Sequence, residues 1–131
     1  MLPISGLYAG LATILVITLA FVVIRQRQTL RVGIGDGGHE SLARAIRVHA
    51  NAVETLPLSL LLLVILEVNQ ASASSLHIFG GLLMLGRVLH AWGLSHKTGT
   101  SFGRFWGMVI TLLVQCGLVV ANLYLFWLAN Q

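Results

Sequence analysis

The 131-residue chain is 56% hydrophobic and only 9% charged, with a mean hydropathy of +0.88, whereas soluble domains carry charge on roughly a quarter of their residues. Its eight Lys/Arg and four Asp/Glu, a formal net charge of +4, are too few to cover a soluble surface of this size, so the composition specifies a single integral membrane domain. Two prolines and no low-complexity tract exclude a disordered linker, and the sparse basic excess excludes a nucleic-acid-binding surface.

Residues 1–24 contain no charge, which is long enough for the roughly 20 residues a bilayer requires. The stretch lacks a basic leader and its basic residues follow rather than precede it, so it reads as a retained first helix and not as a signal peptide. The first connection, 25–40, carries Arg25, Arg27 and Arg31, followed by Gly33, Gly35, Gly37 and Gly38. These glycines lack the Lys-Ser/Thr ending of a phosphate loop, so nucleotide binding is not expected. Residues 45–66 and 76–94 are apolar runs holding a few ionisable groups, joined by a polar connection at 67–75 with no basic residue. A third connection at 95–103 leads into 105–131, which is again uncharged. The pattern predicts an all-α bundle of four transmembrane helices in one domain, 1–131, with spans at 4–24, 42–66, 76–94 and 104–128. Lys97 and Arg104 lie around the third connection, and Arg44 follows the first, so the positive-inside rule puts both connections in the cytoplasm.

The informative segment is the second span. Arg44, Arg47, Asn51 and Glu54 are spaced by three, four and three residues, which puts them on one stripe of a helix while His49 falls off it. An ionised group near the bilayer centre costs on the order of 2.5–3.5 kcal/mol, so such a stripe must face other helices or water. The third span adds Arg87 and His90, one turn apart, and Arg104 opens the fourth. With alternating helix directions, Arg47, Asn51, Glu54, Arg87, His90 and Arg104 share the cytoplasmic half and form a polar funnel, while Glu67 is the one charge near the other side. Two readings stand side by side: a structural ion-pair network of Arg47, Glu54 and Arg87, and a site for a small anionic or zwitterionic ligand. Metal binding is not expected, since His39 lacks a helical partner and Cys116 stands alone. Gln115 and Asn122 read as interhelical hydrogen-bonding groups. Gly6-x-x-x-Gly10 and Gly103-x-x-x-Gly107 have the spacing that lets helix backbones approach, more simply within one chain than between two.

At these same residues the sequence resembles the MAPEG family, the membrane-associated proteins in eicosanoid and glutathione metabolism. Arg44-x-x-Arg47-x-x-x-Asn51-x-x-Glu54-Thr-x-Pro57 is similar to its second-helix signature, Arg87-x-x-His90 to its third-helix segment, and Arg104 to the arginine entering its fourth helix. The resemblance covers essentially the whole chain and is closest to the small bacterial members, which implies a bacterial inner membrane. It implies a homotrimeric four-helix bundle with glutathione, as co-substrate, between neighbouring subunits. Carried over by position, Arg47, Asn51, Glu54, His90, Arg104 and Arg25 are the expected glutathione-binding residues, with Arg104 the expected thiolate stabiliser. The implied function is a glutathione transferase or peroxidase acting on a lipophilic, membrane-borne substrate. The alternatives are a non-catalytic glutathione- or lipid-binding module and a structural membrane protein. Two positions depart from the catalytic pattern: Leu94 where several members carry tyrosine, and Phe105 where some carry serine.

Overall fold

The computed structural model describes residues 1–96 and 101–131, with the side chain of His96 excepted; the expectation for Lys97 falls outside the described residues. Four helices account for nearly all of it: α1 (Pro3–Leu30), α2 (Glu40–Val68), α3 (Ala73–His96) and α4 (Phe102–Ala129). Each is long and apolar enough to cross a membrane. Each also runs beyond the apolar span read from the sequence. Helix α1 continues past Ile24 through Arg25 and Arg27, because Arg and Gln are good helix formers and nothing breaks the helix before the glycines. The first connection is therefore shorter than the expected 25–40. Arg31 closes α1 in the left-handed conformation, and Gly37 and Gly38 turn the chain at φ +58° and +78°, a region L side chains avoid. The Arg27 guanidinium sits inside this loop, donating to the carbonyls of Val32, Gly33 and Gly35 at 3.0–3.3 Å. This basic residue is thus a structural tie of the first connection.

The helices alternate in direction. Glu67 at the end of α2 reaches the start of α1, where it accepts from the backbone N–H of Ile4 (3.0 Å) and of Ser5 (2.6 Å) and from the Ser5 hydroxyl. A carboxylate from one helix thereby satisfies the exposed amides at the N-terminus of another. At the opposite end Arg44 of α2 donates to the Ser95 carbonyl of α3 (3.4 Å) and pairs with Glu40 (3.3 Å). Helices α2 and α4 run parallel, tied by Gln115 Nε2 to Ser59 Oγ (3.0 Å) and Asn122 Nδ2 to the Leu62 carbonyl (3.2 Å).

Helices α2 and α3 form the middle of the bundle, and α1 and α4 share no contact among the described residues. The core between them is Ala52, Leu56 and Leu63 of α2, Leu76 and Leu83 of α3, Tyr8 and Ala12 of α1, and Val114 and Leu118 of α4. Tyr8 lies across Gly80, where any Cβ would collide with its ring, and its hydroxyl donates to the His77 carbonyl at 3.1 Å. The α3–α4 contact is the tightest. A Cβ on Gly107 would strike the backbone of His90 and Gly86, and one on Gly103 would lie 2.9 Å from the Leu89 carbonyl oxygen. Gly103-x-x-x-Gly107 is thus a device for packing within the chain. Gly6 and Gly10 have no described neighbour within 4 Å. Large apolar side chains such as Ile14, Phe21, Leu61, Leu113 and Val120 cover the outside, as suits a lipid-facing surface.

Candidate functional site

Close packing of α3 on α4 places the start of α4 beside the last turns of α3, and α2 closes the third side. Between these three helices opens a cleft of about 530 Å³ lined by Arg47 and Asn51 from α2, His90 and Leu94 from α3, and Arg104, Phe105, Met108, Val109 and Leu112 from α4. Four of the six residues expected to bind glutathione therefore meet in one place. They form its polar end, and the residues of α4 below Arg104 form an apolar wall.

The other two expected residues lie elsewhere. Glu54 is an exposed residue of α2 whose carboxylate is 3.6 Å from Arg47; the two side chains are 57% and 65% exposed within the single chain. It reaches the cleft only through that ion pair. Arg25 is exposed on α1, a helix that contributes nothing to the cleft within one chain.

Arg87 corrects the sequence reading most. Rather than joining Arg47 and Glu54 in an ion-pair network, it is 1% exposed. Its Nη2 donates to Asn51 Oδ1 at 2.5 Å and lies 3.3 Å from His90 Nδ1. Its Nε and Nη1 are buried with no hydrogen-bond partner among the described residues. The Arg87–Asn51 contact spans α3 and α2 and ties together two helices that supply the cleft. Sequence spacing could place Arg87 and His90 on one face but could not choose Asn51 over Glu54 as the partner, since the two lie three residues apart on the same stripe. His90 is 3% exposed and backs onto this network.

Leu94 and Phe105, the two departures from the catalytic pattern, both line the cleft. The apolar wall of Met108, Val109 and Leu112 was not singled out from sequence. Arg104, Met108 and Leu112 recur every four residues, so a helical stripe running down from Arg104 was the available signal. Arg104 itself stands in the first turn of α4, which is capped by Ser101 accepting from the Arg104 N–H at 3.3 Å. A cation there opposes the helix dipole. The helix terminus and the guanidinium therefore add their positive potential at the mouth of the cleft. Among the described residues around it, three guanidiniums (Arg47, Arg87, Arg104) stand against one carboxylate (Glu54), an excess suited to an anion.

This combination defines a class: multi-pass membrane proteins built as a four-helix bundle with a cationic cleft between the second, third and fourth helices. The chain belongs to the MAPEG family, whose model matches residues 5–124 and so includes every residue of the cleft. It is 39% identical over 125 residues to the inner membrane protein YecN of Escherichia coli (strain K12), a stretch covering 95% of this chain and 94% of that protein. YecN of Escherichia coli O6:H1 (strain CFT073) matches to the same extent.

Proposed function

We propose that the protein is a glutathione-dependent membrane enzyme, a transferase or peroxidase acting on a lipophilic electrophile. The observation that carries this is the convergence of Arg47, Asn51, His90 and Arg104 on one cleft with an excess of positive charge and an apolar wall. Glutathione bears two carboxylates, an ammonium and a thiol. Arginine forks suit the carboxylates, Asn51 suits the peptide, and Glu54, held beside Arg47, suits the ammonium. Arg104 is the cation for the sulfur: a positive charge beside a thiol raises its thiolate fraction, and the thiolate is the nucleophile. In the transferase reaction the sulfur forms a bond to the electrophilic carbon, the leaving group departs with its electron pair, and the thiol proton goes to solvent. The wall from Phe105 to Leu112 suits an acceptor arriving sideways from the bilayer.

In this reading the protein lies in a bacterial inner membrane with its basic connections cytoplasmic, the location stated in the name of YecN. It assembles as a homotrimer, the family arrangement, and the cleft is completed between copies. Arg25 then serves a neighbouring copy's cleft, since its own chain keeps it on the outer surface of α1.

One observation favours a second reading. Leu94 and Phe105 put two apolar groups into the cleft where catalytic members offer hydroxyls, which suits a glutathione- or lipid-binding module without turnover. Calorimetric titration of the purified protein with glutathione, followed by a conjugation assay with a generic aryl halide, separates the readings. Binding with turnover supports the enzyme, and binding alone selects the module. No binding at millimolar glutathione overturns the enzyme and the glutathione-binding module, and leaves a lipid-binding module or a structural membrane protein.

A further inference from the structure

Arginine has five N–H donors and no acceptor. Whatever it hydrogen-bonds must therefore present a lone pair. That constraint assigns atoms that coordinates alone leave interchangeable, such as the two ends of an amide and the two tautomers of an imidazole. Arg87 Nη2 is 2.5 Å from one end of the Asn51 amide, so that end is the oxygen, and Nδ2 with its two hydrogens is the polar group left for the cleft. The same nitrogen is 3.3 Å from His90 Nδ1, so Nδ1 carries the lone pair. A doubly protonated ring would set two donors and two positive charges against each other in a buried position. The ring is then neutral, with its proton on Nε2.

We infer that Arg87 is a positioning residue that turns the polar end of the cleft into a surface of donors only: Asn51 Nδ2–H, His90 Nε2–H and the guanidiniums of Arg47 and Arg104. Arg87 is absent from the cleft lining and acts through Asn51 and His90. The assignment has a chemical consequence. A cleft whose described side chains offer no acceptor takes a ligand that presents lone pairs, namely carboxylates, a peptide carbonyl and a thiolate, and disfavours one that must donate there. Glu54, outside the lining, is then the nearby acceptor for an ammonium. His90 Nε2–H also offers the cleft a neutral hydrogen-bond donor within one turn of Leu94, where a tyrosine hydroxyl would otherwise supply one. This deepens the proposed function and rests on it for the identity of the ligand; the tautomer itself does not depend on it.

The test is long-range ¹H–¹⁵N correlation on the full chain, labelled at histidine nitrogens and held in lipid nanodiscs, with His90 assigned by its disappearance in His90→Gln. Wild type should show His90 as the neutral Nε2–H tautomer. Arg87→Met should lose that single tautomer, and Arg87→Lys, which keeps a donor without a lone pair, should restore it at least in part. A wild-type His90 that is Nδ1-protonated or doubly protonated overturns the inference whether or not the variants fold. In parallel, glutathione is titrated. Arg87→Met should weaken glutathione by roughly threefold to tenfold, the scale of one misdirected hydrogen bond. An unchanged affinity in a folded Arg87→Met overturns the donor-only assignment. If wild type shows the Nε2–H tautomer but binds no glutathione, the inference stands and the proposed ligand falls.

Discussion

Asn51 occupies a position where two demands meet, since it faces the cleft and also accepts the one strong hydrogen bond of a fully buried arginine. Asn51→Leu removes that acceptor and leaves Arg87 held only by His90, with Nε and Nη1 already unmatched. Hydrogen bonds to charged groups contribute about 1.5–3 kcal/mol, and the variant should lose stability on that scale in detergent-resolved unfolding. Arg104→Ala should behave differently. Its residue lies in the first turn of α4, half-buried, where its charge opposes the helix dipole, so its loss bears on the potential of the cleft more than on the α2–α3 tie. Under the proposed function, glutathione should still bind in part, while the ultraviolet absorbance of the bound thiolate falls and turnover falls with it. Full thiolate formation in Arg104→Ala would remove that residue from the role assigned to it. These contrasts also mark what the sequence could tell. Of the residues spaced three-four-three on α2, Arg47 and Asn51 line the cleft while Arg44 and Glu54 do not, and helix directions put His90 and Arg104 at the same depth. Which stripe residue meets Arg87 depends on the rotation of α3 against α2, and no spacing within one helix carries that information.

At the scale of helices, the α3–α4 pair depends on glycine in a way that makes a sharp prediction. A Cβ at Gly107 meets backbone atoms of His90 and Gly86, which cannot swing aside as a side chain can. Gly107→Ala should therefore force α4 away from α3, cost about 1–3 kcal/mol as overpacking does, and widen the cleft that His90 and Arg104 share. Gly10→Ala is the internal comparison. With no described neighbour within 4 Å, it should leave the fold intact and gain slightly from helix propensity, roughly 0.5–1 kcal/mol. Both variants are compared by thermal unfolding in the same detergent. The sequence shows two identical small-x-x-x-small spacings, and only the structure separates the one buried inside the bundle from the one left on its surface. Glu67 teaches the same lesson. Its position near the membrane edge was readable from its place in the chain, but its role as the cap of α1 requires knowing that the end of α2 stands beside Ile4 and Ser5.

For the whole molecule, the Arg47–Glu54 pair bears on how the chain sits in lipid. Glu54 falls at the midpoint of α2, with as many helical residues before it as after it, so in a spanning helix it sits near the middle of the bilayer. Yet both partners are more than half exposed in the single chain. In water such an exposed pair would contribute about 0–1 kcal/mol. Facing hydrocarbon near the bilayer centre, the Glu54 charge would cost on the order of 2.5–3.5 kcal/mol, so a lone protomer in lipid would be penalised by this residue alone. A second copy of the chain would relieve the cost by covering the pair and sharing its hydrogen bonds. Helices in lipid have no hydrophobic drive to associate, and polar groups and small residues supply the attraction instead. Replacing the pair by leucine therefore has opposite consequences in the two cases. If the protein associates through this face, Arg47→Leu/Glu54→Leu should fold well and dissociate towards monomer, because the polar contact is gone and leucine is content in lipid. If the protein is a monomer, the double variant should simply be more stable, with no change in mass. Native mass spectrometry of wild type and double variant released from nanodiscs distinguishes these outcomes, and the first is expected. A wild type that is monomeric at every protein-to-lipid ratio would overturn it.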